Sequence, residues 1–326
     1  MPRTAFSTAS LFAALVSLLV TSLVCAADYP TRPVTMVLGF APGGPSDVVA
    51  RLVARRLAQV LGQPVVVENR PGAGGNVAGE MVARATPDGH TLLLGTNGIL
   101  ATNVSLYKKI GFDPAKDFAP ITLIGAQANV VYVNPAMPAR TLAELIAFAK
   151  ANPGKVSYAS GGHGTAAHLA GELLKAEAKI DIVHVPYRGT GPALQDVLAG
   201  HVGVGISAVA PVGDHIKNGA LRPLAVTTLT RTALLPDIAT VAELAIPGYE
   251  ATTRHGLVAP AGTPAEIVTA LHRGMMTTLN DPQVRKALTD LGVDVAGNNP
   301  AEFAAYIRAE IPKWAAIVKA SGASLD

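Results

Sequence analysis

The chain has 326 residues, 49% of them hydrophobic, a length that predicts about two domains with a sizeable core. Lys and Arg together number 26 against 23 Asp and Glu, and aromatic residues make up only 5% of the chain. No run of basic residues is interleaved with aromatic side chains, so nucleic-acid binding is not expected.

The first 26 residues have the pattern of a cleaved export signal. Arg3 is the only charged residue before Asp28, Leu11–Val24 is an apolar run of signal-peptide size, and small residues allow cleavage near Ala26. The run is shorter than the ~20 residues that a membrane span needs. Cys25 is the only cysteine, so the mature chain would have no thiol, disulfide or cysteine-bound metal.

Strand and helix patterns alternate along the rest of the chain, which predicts an α/β fold with mainly parallel sheets. In the first third, the predicted elements are strands at Val34–Leu38, Val65–Val67 and Leu92–Leu94, and helices at Val48–Leu61 and Val77–Ala85.

A second unit is predicted to begin with strands at Ile121–Gly125 and Asn129–Asn134. Further strands are predicted at Val156–Ala159, Ile182–Val185 and Val202–Ile206, and Leu221–Val226 forms the return path. Helices with Pro near their first position begin at about Pro264 and Pro300. We therefore expect lobe 1 to comprise residues 28–123 and 228–326, lobe 2 to comprise residues 124–227, and two crossings to form a hinge around a ligand cleft.

Two glycine-rich turns, each between a strand and a helix start, are candidate anion sites. They are Ala41–Asp47 and Ser160–Thr165. Such turns direct unpaired N–H groups and the positive end of a helix dipole to one point. Ser46, Asp47 and Thr165 can cap some donors while the glycine N–H groups stay free. The alternative for either turn is a tight connection without a ligand.

Other chemistries have weaker sequence support. Gly72-Ala73-Gly74 begins a dinucleotide motif, but Val77 occupies the third glycine position, and no Walker lysine follows a glycine loop, so no cofactor is expected. On one helix, His163 and His168 would point in different directions, so no metal site is expected. Ser160 is not in a G-x-S-x-G frame. A secreted hydrolase using Ser160 with His168 is the alternative from another class.

From about Tyr29 to the last helix, the sequence resembles Bug-type substrate-binding proteins, the extracytoplasmic receptors of tripartite tricarboxylate transporters. The strings that carry the resemblance include Phe40–Gly44, Gly62–Asn76, Pro87–Leu93, Ile182–Gly189 and Gly256–Pro264.

The resemblance implies a two-lobed type II periplasmic binding fold with two hinge crossings, and a periplasmic receptor that performs no catalysis. Its ligand would be a small organic carboxylate, held by turns after strands through backbone amides, hydroxyls and waters. Integral membrane transporter subunits would be its partners, with a membrane sensor as the alternative, and the receptor would be a monomer.

Transferred to this chain, the resemblance predicts one set of ligand-binding residues. They are Ala41, Pro42, Gly43, Gly44, Ser46, Asp47, Thr96, Asn97, Gly98, Ser160, Gly161, Gly162, Gly164, Thr165, His168 and Ser207.

The chain departs from the family pattern at three places. Pro45 replaces a glycine of the first turn, Ser207 stands where an acidic residue is usual, and Arg254-His255 replaces aromatic residues. Fewer acidic groups and an added guanidinium would make the cleft electropositive, so Arg254 is a further candidate contact. The ligand would then carry at least two acidic groups and no cationic amine. Alternatively, Arg254 faces solvent or pairs with Glu250.

Overall fold

The computed structural model describes residues 29–321, 324 and 325, and the predicted export signal lies outside this range. Two β-sheets flanked by helices form two lobes, with strands β1–β4, β10 and β11 in the first sheet and β5–β9 in the second. The strands are β1 (Val34–Leu38), β2 (Val65–Asn69), β3 (Thr91–Thr96), β4 (Phe118–Gln127), β5 (Asn129–Val133), β6 (Val156–Ser160), β7 (Ile182–Pro186), β8 (Val204–Ala208), β9 (Arg222–Val226), β10 (Thr253–Pro260) and β11 (Val293–Val295).

The helices lie mainly between these strands. They are α1 (Pro45–Leu61), α2 (Asn76–Ala83), α3 (Asn103–Leu106), α4 (Leu142–Ala151), α5 (Ala166–Ala178), α6 (Thr190–Leu198), α7 (Gly213–Lys217), α8 (Val241–Leu244), α9 (Ala265–Asn280), α10 (Pro282–Asp290) and α11 (Pro300–Ser321). A 3-10 turn at Ala73–Gly75 precedes α2, and a π-helical turn at Gly98–Thr102 precedes α3.

Both sheets are mixed, which corrects the prediction of mainly parallel sheets. The first has the order β11-β4-β10-β3-β1-β2, in which β1 runs parallel to β2 and β3 while β10 runs antiparallel to β3 and β4. In the second, of order β7-β6-β8-β5-β9, β6 is parallel to β7 and β8, but β5 is antiparallel to β8 and β9. Each antiparallel pair includes β4, β5 or β10, which are strands that adjoin a crossing.

The crossings between the sheets lie later in the chain than the sequence suggested. Residues 124–127 belong to β4 and the first sheet, and the chain enters the second sheet only after Ala128. It returns at Thr252, because Tyr249 and Ala251 still pack in the core around the second sheet. The two crossings adjoin, since the Asn129 amide donates to the Ala251 carbonyl over 3.1 Å.

Apolar side chains cover both faces of each sheet, as expected for sheets with buried parallel strands. Along β1, Met36 and Leu38 pack on one face while Val37 packs on the other. Helix α11 joins the lobes, because Phe303 packs beside the first sheet and Trp314 packs in the core of the second. In the described part of the chain, no helix has both the length and the apolar character needed to cross a membrane.

Candidate functional site

The first glycine turn is more tightly constrained than the sequence suggested. Ala41–Gly43 is exposed, and Gly43 adopts a positive φ of 79°. Its N–H, expected to be free for a ligand, donates to the Asp47 carboxylate over 2.9 Å. Pro45 is the first residue of α1, a position where a missing N–H costs the helix no hydrogen bond.

Asp47 holds this turn in place. Its carboxylate also accepts hydrogen bonds from Arg51 Nε (2.9 Å) and from Asn69 Nδ2 (2.8 Å), and its side chain is only 4% exposed. Burial alone would raise the pKa of Asp47, but the hydrogen bonds from Arg51, Gly43 and Asn69 outweigh burial and lower it. The candidate ligand contact Asp47 therefore already accepts from three donors of the protein itself.

Ser46 lies beside a buried histidine, His255, for which the sequence predicted no role beyond a departure from the family pattern. Ser46 Oγ lies 3.0 Å from His255 Nε2, and His255 is fully buried on β10. Burial lowers the pKa of His255 to about 4, so the ring is neutral. The cross-strand partner of His255 is Thr96, and neither Thr96 Oγ1 nor His255 Nδ1 has a hydrogen-bond partner in residues 29–321, 324 and 325.

Asn97 and Gly98 continue from β3 toward the second lobe. Both are buried, and Asn97 Oδ1 accepts a 3.3 Å hydrogen bond from the Arg254 N–H. Asn103, at the start of α3, donates to Asn76 Oδ1 (2.6 Å) and to the Gly74 carbonyl (3.2 Å). Its own Oδ1 is buried without a partner.

The second glycine turn also uses several of its donors internally. Gly162 N–H donates to Ser160 Oγ over 3.2 Å, Gly164 N–H to His168 Nδ1 over 3.3 Å, and Thr165 N–H to the Gly162 carbonyl over 3.4 Å. Thr165 caps α5 by accepting from His168 N–H. The glycine N–H groups of this turn were expected to stay free, whereas those of Gly162 and Gly164 are used within the turn.

The two lobes meet through glycines. A Cβ on Gly98 would lie 2.5 Å from the Gly164 carbonyl oxygen, and one on Gly74 would lie 3.3 Å from that of His163. Asn103 Oδ1 faces Gly164 from the first lobe at a comparable separation. The amino end of α5 therefore faces the Asn97–Asn103 segment across the cleft, with buried unpartnered oxygen atoms on the first-lobe side.

Three histidines converge behind the second turn. The ring centroids of His163 and His168 are 5.4 Å apart, and His184 on β7 lies 5.1 Å from the first and 4.2 Å from the second. The expectation that His163 and His168 point apart was wrong, because α5 begins only at Ala166 and His163 precedes it. We refer to His163, His168 and His184 together as the histidine cluster.

Burial is the main cause of the shifted pKa values in the cluster. It lowers the pKa of His168 to about 3 and that of His184 to about 2, with further lowering from the neighbouring rings. Both rings are therefore neutral at physiological pH.

The structure pairs Ser160 with His184 rather than with His168. Ser160 Oγ lies 2.7 Å from His184 Nε2, but Ser160 is fully buried. In a serine hydrolase the other ring nitrogen donates to a carboxylate, whereas His184 Nδ1 has no partner within the part of the chain that the structure describes. This geometry lacks both the exposed nucleophile and the orienting acid of a catalytic triad.

Ser207 and Arg254, the two candidate ligand contacts at which this chain departs from the family pattern, both bond to other groups of the protein. Ser207 is buried at the end of β8, and its hydroxyl donates to the Ala208 carbonyl. The Arg254 guanidinium pairs with Glu250 at 2.6 Å and lies over the Tyr306 ring, 5.0 Å from its centroid. The alternative position for Arg254, paired with Glu250, is the one observed.

Sequence reasoning missed Asn103 and His184, and did not connect His255 to Ser46. His184 lies in a string that carried the family resemblance, and its register opposite Tyr158 places it beside Ser160. That register depends on strand pairing, which no local pattern in the sequence specifies.

Comparisons with known proteins agree with this architecture. The family model described as "Tripartite tricarboxylate transporter family receptor" matches residues 49–323. The protein BugT of Bordetella pertussis is 38% identical over 303 residues, covering 93% of each chain.

Solved structures of similar proteins share the whole fold. Periplasmic binding protein BugD is 37% identical with a TM-score of 0.83, covering 91% of this chain and 99% of its own. Rhodopseudomonas palustris MatC with bound malate is 34% identical with a TM-score of 0.83 (89% and 100% covered). R. palustris Rpa4515 with adipate is 38% identical with a TM-score of 0.85 (91% and 100% covered). The chain thus belongs to the tripartite tricarboxylate transporter receptor family, whose members are solute-binding receptors of the periplasm.

Proposed function

We propose that this protein closes its two lobes around a small dicarboxylate and delivers it to a membrane transporter. The observation that carries the proposal is the approach of Gly98 to the Gly164 carbonyl, which brings the two lobes together beside the amino end of α5, where the helix dipole favours an anion. Two similar proteins have adipate and malate bound, and both of these ligands are dicarboxylates.

We propose that Thr96, Asn97 and Gly98 of the first lobe and the Ser160–His168 segment of the second contribute the contacts. Thr96 Oγ1 and Asn103 Oδ1 are buried without partners, and bridging waters or ligand hydroxyls would satisfy them. Arg254 is not part of this proposal, because Glu250 already neutralises its charge. The ligand's charge would be balanced by dipoles rather than by a buried cation.

The wider role follows from the family. The chain would be exported, lose its signal near Ala26, and act as a periplasmic monomer that contacts integral membrane subunits. Its family relation and the buried Ser160 both argue against turnover of the ligand.

A thermal-shift and calorimetric comparison of adipate with hexanoate tests the ligand class. The two have the same chain length, but hexanoate lacks the second carboxylate. A ligand at 100 times its Kd adds about 2.7 kcal/mol of stability. Loss of one set of hydrogen bonds to a charged group, about 1.5–3 kcal/mol, should weaken hexanoate roughly ten- to hundredfold. Equal affinities, or shifts with amino acids only, would contradict the proposal.

Uptake and sensing can be separated in cells. With the transporter genes under a constitutive promoter, deletion of this chain should abolish uptake of the labelled dicarboxylate. Unimpaired uptake, with lost induction of the genes from their own promoter, would favour a sensor partner instead.

A further inference from the structure

The histidine cluster places one nitrogen from each of three imidazoles within 4.8 Å of the others. The rings come from different elements: His184 from β7, His168 from the first turn of α5, and His163 from the glycine loop between β6 and α5. His168 is buried, His184 is partly buried and His163 is exposed, so His163 is the member of the cluster most accessible to solvent.

The hydrogen bonds of Ser160 orient the His184 ring. Ser160 Oγ accepts from the Gly162 N–H and lies 3.3 Å from the Gly162 carbonyl, to which its hydroxyl can donate. His184 Nε2 then donates to Ser160 Oγ, which leaves the lone pair on Nδ1. That atom is buried and has no partner among the described residues, an arrangement that costs free energy unless something binds it.

We propose that His163, His168 and His184 bind one divalent transition ion, with Zn²⁺ as the reference case, and leave a coordination position open. Imidazole nitrogens suit Zn²⁺, Cu²⁺ and Ni²⁺, and three protein ligands with one open position are typical of zinc sites that bind a further molecule. The bond from His184 Nε2 to Ser160 supplies the outer contact that fixes the orientation of a metal-binding imidazole.

Binding requires a modest contraction of the cluster. Zn–N bonds of about 2.0–2.1 Å place two nitrogens of a tetrahedral site roughly 3.4 Å apart, less than the present limit of 4.8 Å. Glycines at 161, 162 and 164 surround His163, so its loop can move toward the other two rings. The Gly164 N–H bond to His168 Nδ1, at 3.3 Å, is long and offers little resistance.

The ion would keep its full charge, because the ligand set contains no carboxylate. The nearest acidic side chain on α5, Glu172, is occupied by Tyr158 Oη (2.8 Å) and lies 3.4 Å from Lys175. An oxygen of water or of an anionic ligand in the cleft would therefore take the open position. The metal site does not depend on the proposed function, since the receptor could bind its dicarboxylate with or without it.

Calorimetry on the metal-free, tag-free mature protein tests the site with ZnCl₂ alone. We expect one ion per chain with a Kd of about 10 μM or tighter, and at least a tenfold weaker Kd for His163→Ala. His201→Ala is the matched control, because His201 is exposed outside the cluster beside Asp196, and its Kd should equal that of the parent. His163 is exposed, so its replacement should leave the thermal unfolding of the metal-free protein unchanged.

Co²⁺ provides a second readout of the same site. Its visible absorption should indicate low-coordinate nitrogen ligation in the parent protein and in His201→Ala, and should be lost in His163→Ala. Absence of binding at about 100 μM Zn²⁺, or binding that His163→Ala leaves unchanged, would overturn the proposal. Dicarboxylate binding measured with a chelator present reports separately on the proposed function.

Discussion

Asp47 shows how one carboxylate can determine the shape of a turn. It accepts from a backbone N–H, an amide and a guanidinium, so the Ala41–Gly44 turn is held on the amino end of α1. An acidic residue in the first turn of a helix is also stabilised by the helix dipole. The residue's sequence position suggested a ligand contact, whereas its contacts indicate a structural role.

Replacing Asp47 with Ala should destabilise the protein by about 1.5–3 kcal/mol, because it removes a charged acceptor and leaves the Asn69 amide without this partner. Urea unfolding measures the change. Asp290→Ala is the control, since Asp290 is 60% exposed and pairs with Lys286 on the surface, so the expected change is within about 0.5 kcal/mol. Similar losses in both variants would argue against a special role for Asp47.

At the scale of elements, β10 positions several side chains that connect the parts of the first lobe. It lies inside the six-stranded sheet, antiparallel to both neighbours, and places His255 beneath the start of α1 while Arg254 faces α11. Gly256 makes room for the Phe303 ring of that helix. The strand thus connects the amino end of α1 to the helix that joins the lobes.

The buried His255 makes stability depend on pH. Its pKa is about 4 in the folded protein and about 6.5 when unfolded, so between these values the unfolded state binds the additional proton. Stability should therefore fall as the pH falls, with His255 contributing up to about 1.4 kcal/mol per pH unit.

Unfolding free energies measured between about pH 6 and pH 4.5 should show a slope that is smaller by this amount in His255→Gln. Ser46→Ala separates stability from proton linkage: it removes the hydrogen bond but retains the buried ring, so stability falls while the slope persists. An unchanged slope in His255→Gln would mean that the ring is protonated in the folded state.

At the scale of the whole molecule, the two lobes approach each other through backbone atoms. Gly98 lies against the Gly164 carbonyl with no space for a Cβ, although its φ lies outside the range that disfavours other residues. The absence of a side chain at Gly98 is therefore required by closure rather than by local backbone conformation.

Gly98→Ala should consequently disfavour this approach of the two lobes and weaken dicarboxylate binding at least tenfold. Small-angle scattering at saturating ligand should show compaction of the parent and less compaction of the variant. Gly191→Ala is the matched control, because a Cβ there meets nothing within 4 Å. Normal compaction of Gly98→Ala would show that closure does not bring these backbones together.

Much of the fold could be predicted from local patterns. Strand Val34–Leu38 and the end of helix α1 at Leu61 are observed where the apolar spacing placed them. Helix α11 begins at Pro300 as predicted, with Asn299 and Glu302 capping each other's N–H groups. These features depend on residues a few positions apart, and such short-range interactions are specified by the sequence directly.

The sequence alone therefore determined the order of the elements, the positions of the glycine turns and the family. The tertiary structure decided which side chains that are distant in the sequence contact each other. Ser46 meets His255 across 209 positions, and His184 joins His163 and His168 only after β7 pairs with β6. Such contacts depend on strand register and on where each helix begins, which are set by packing of the whole chain rather than by any local pattern.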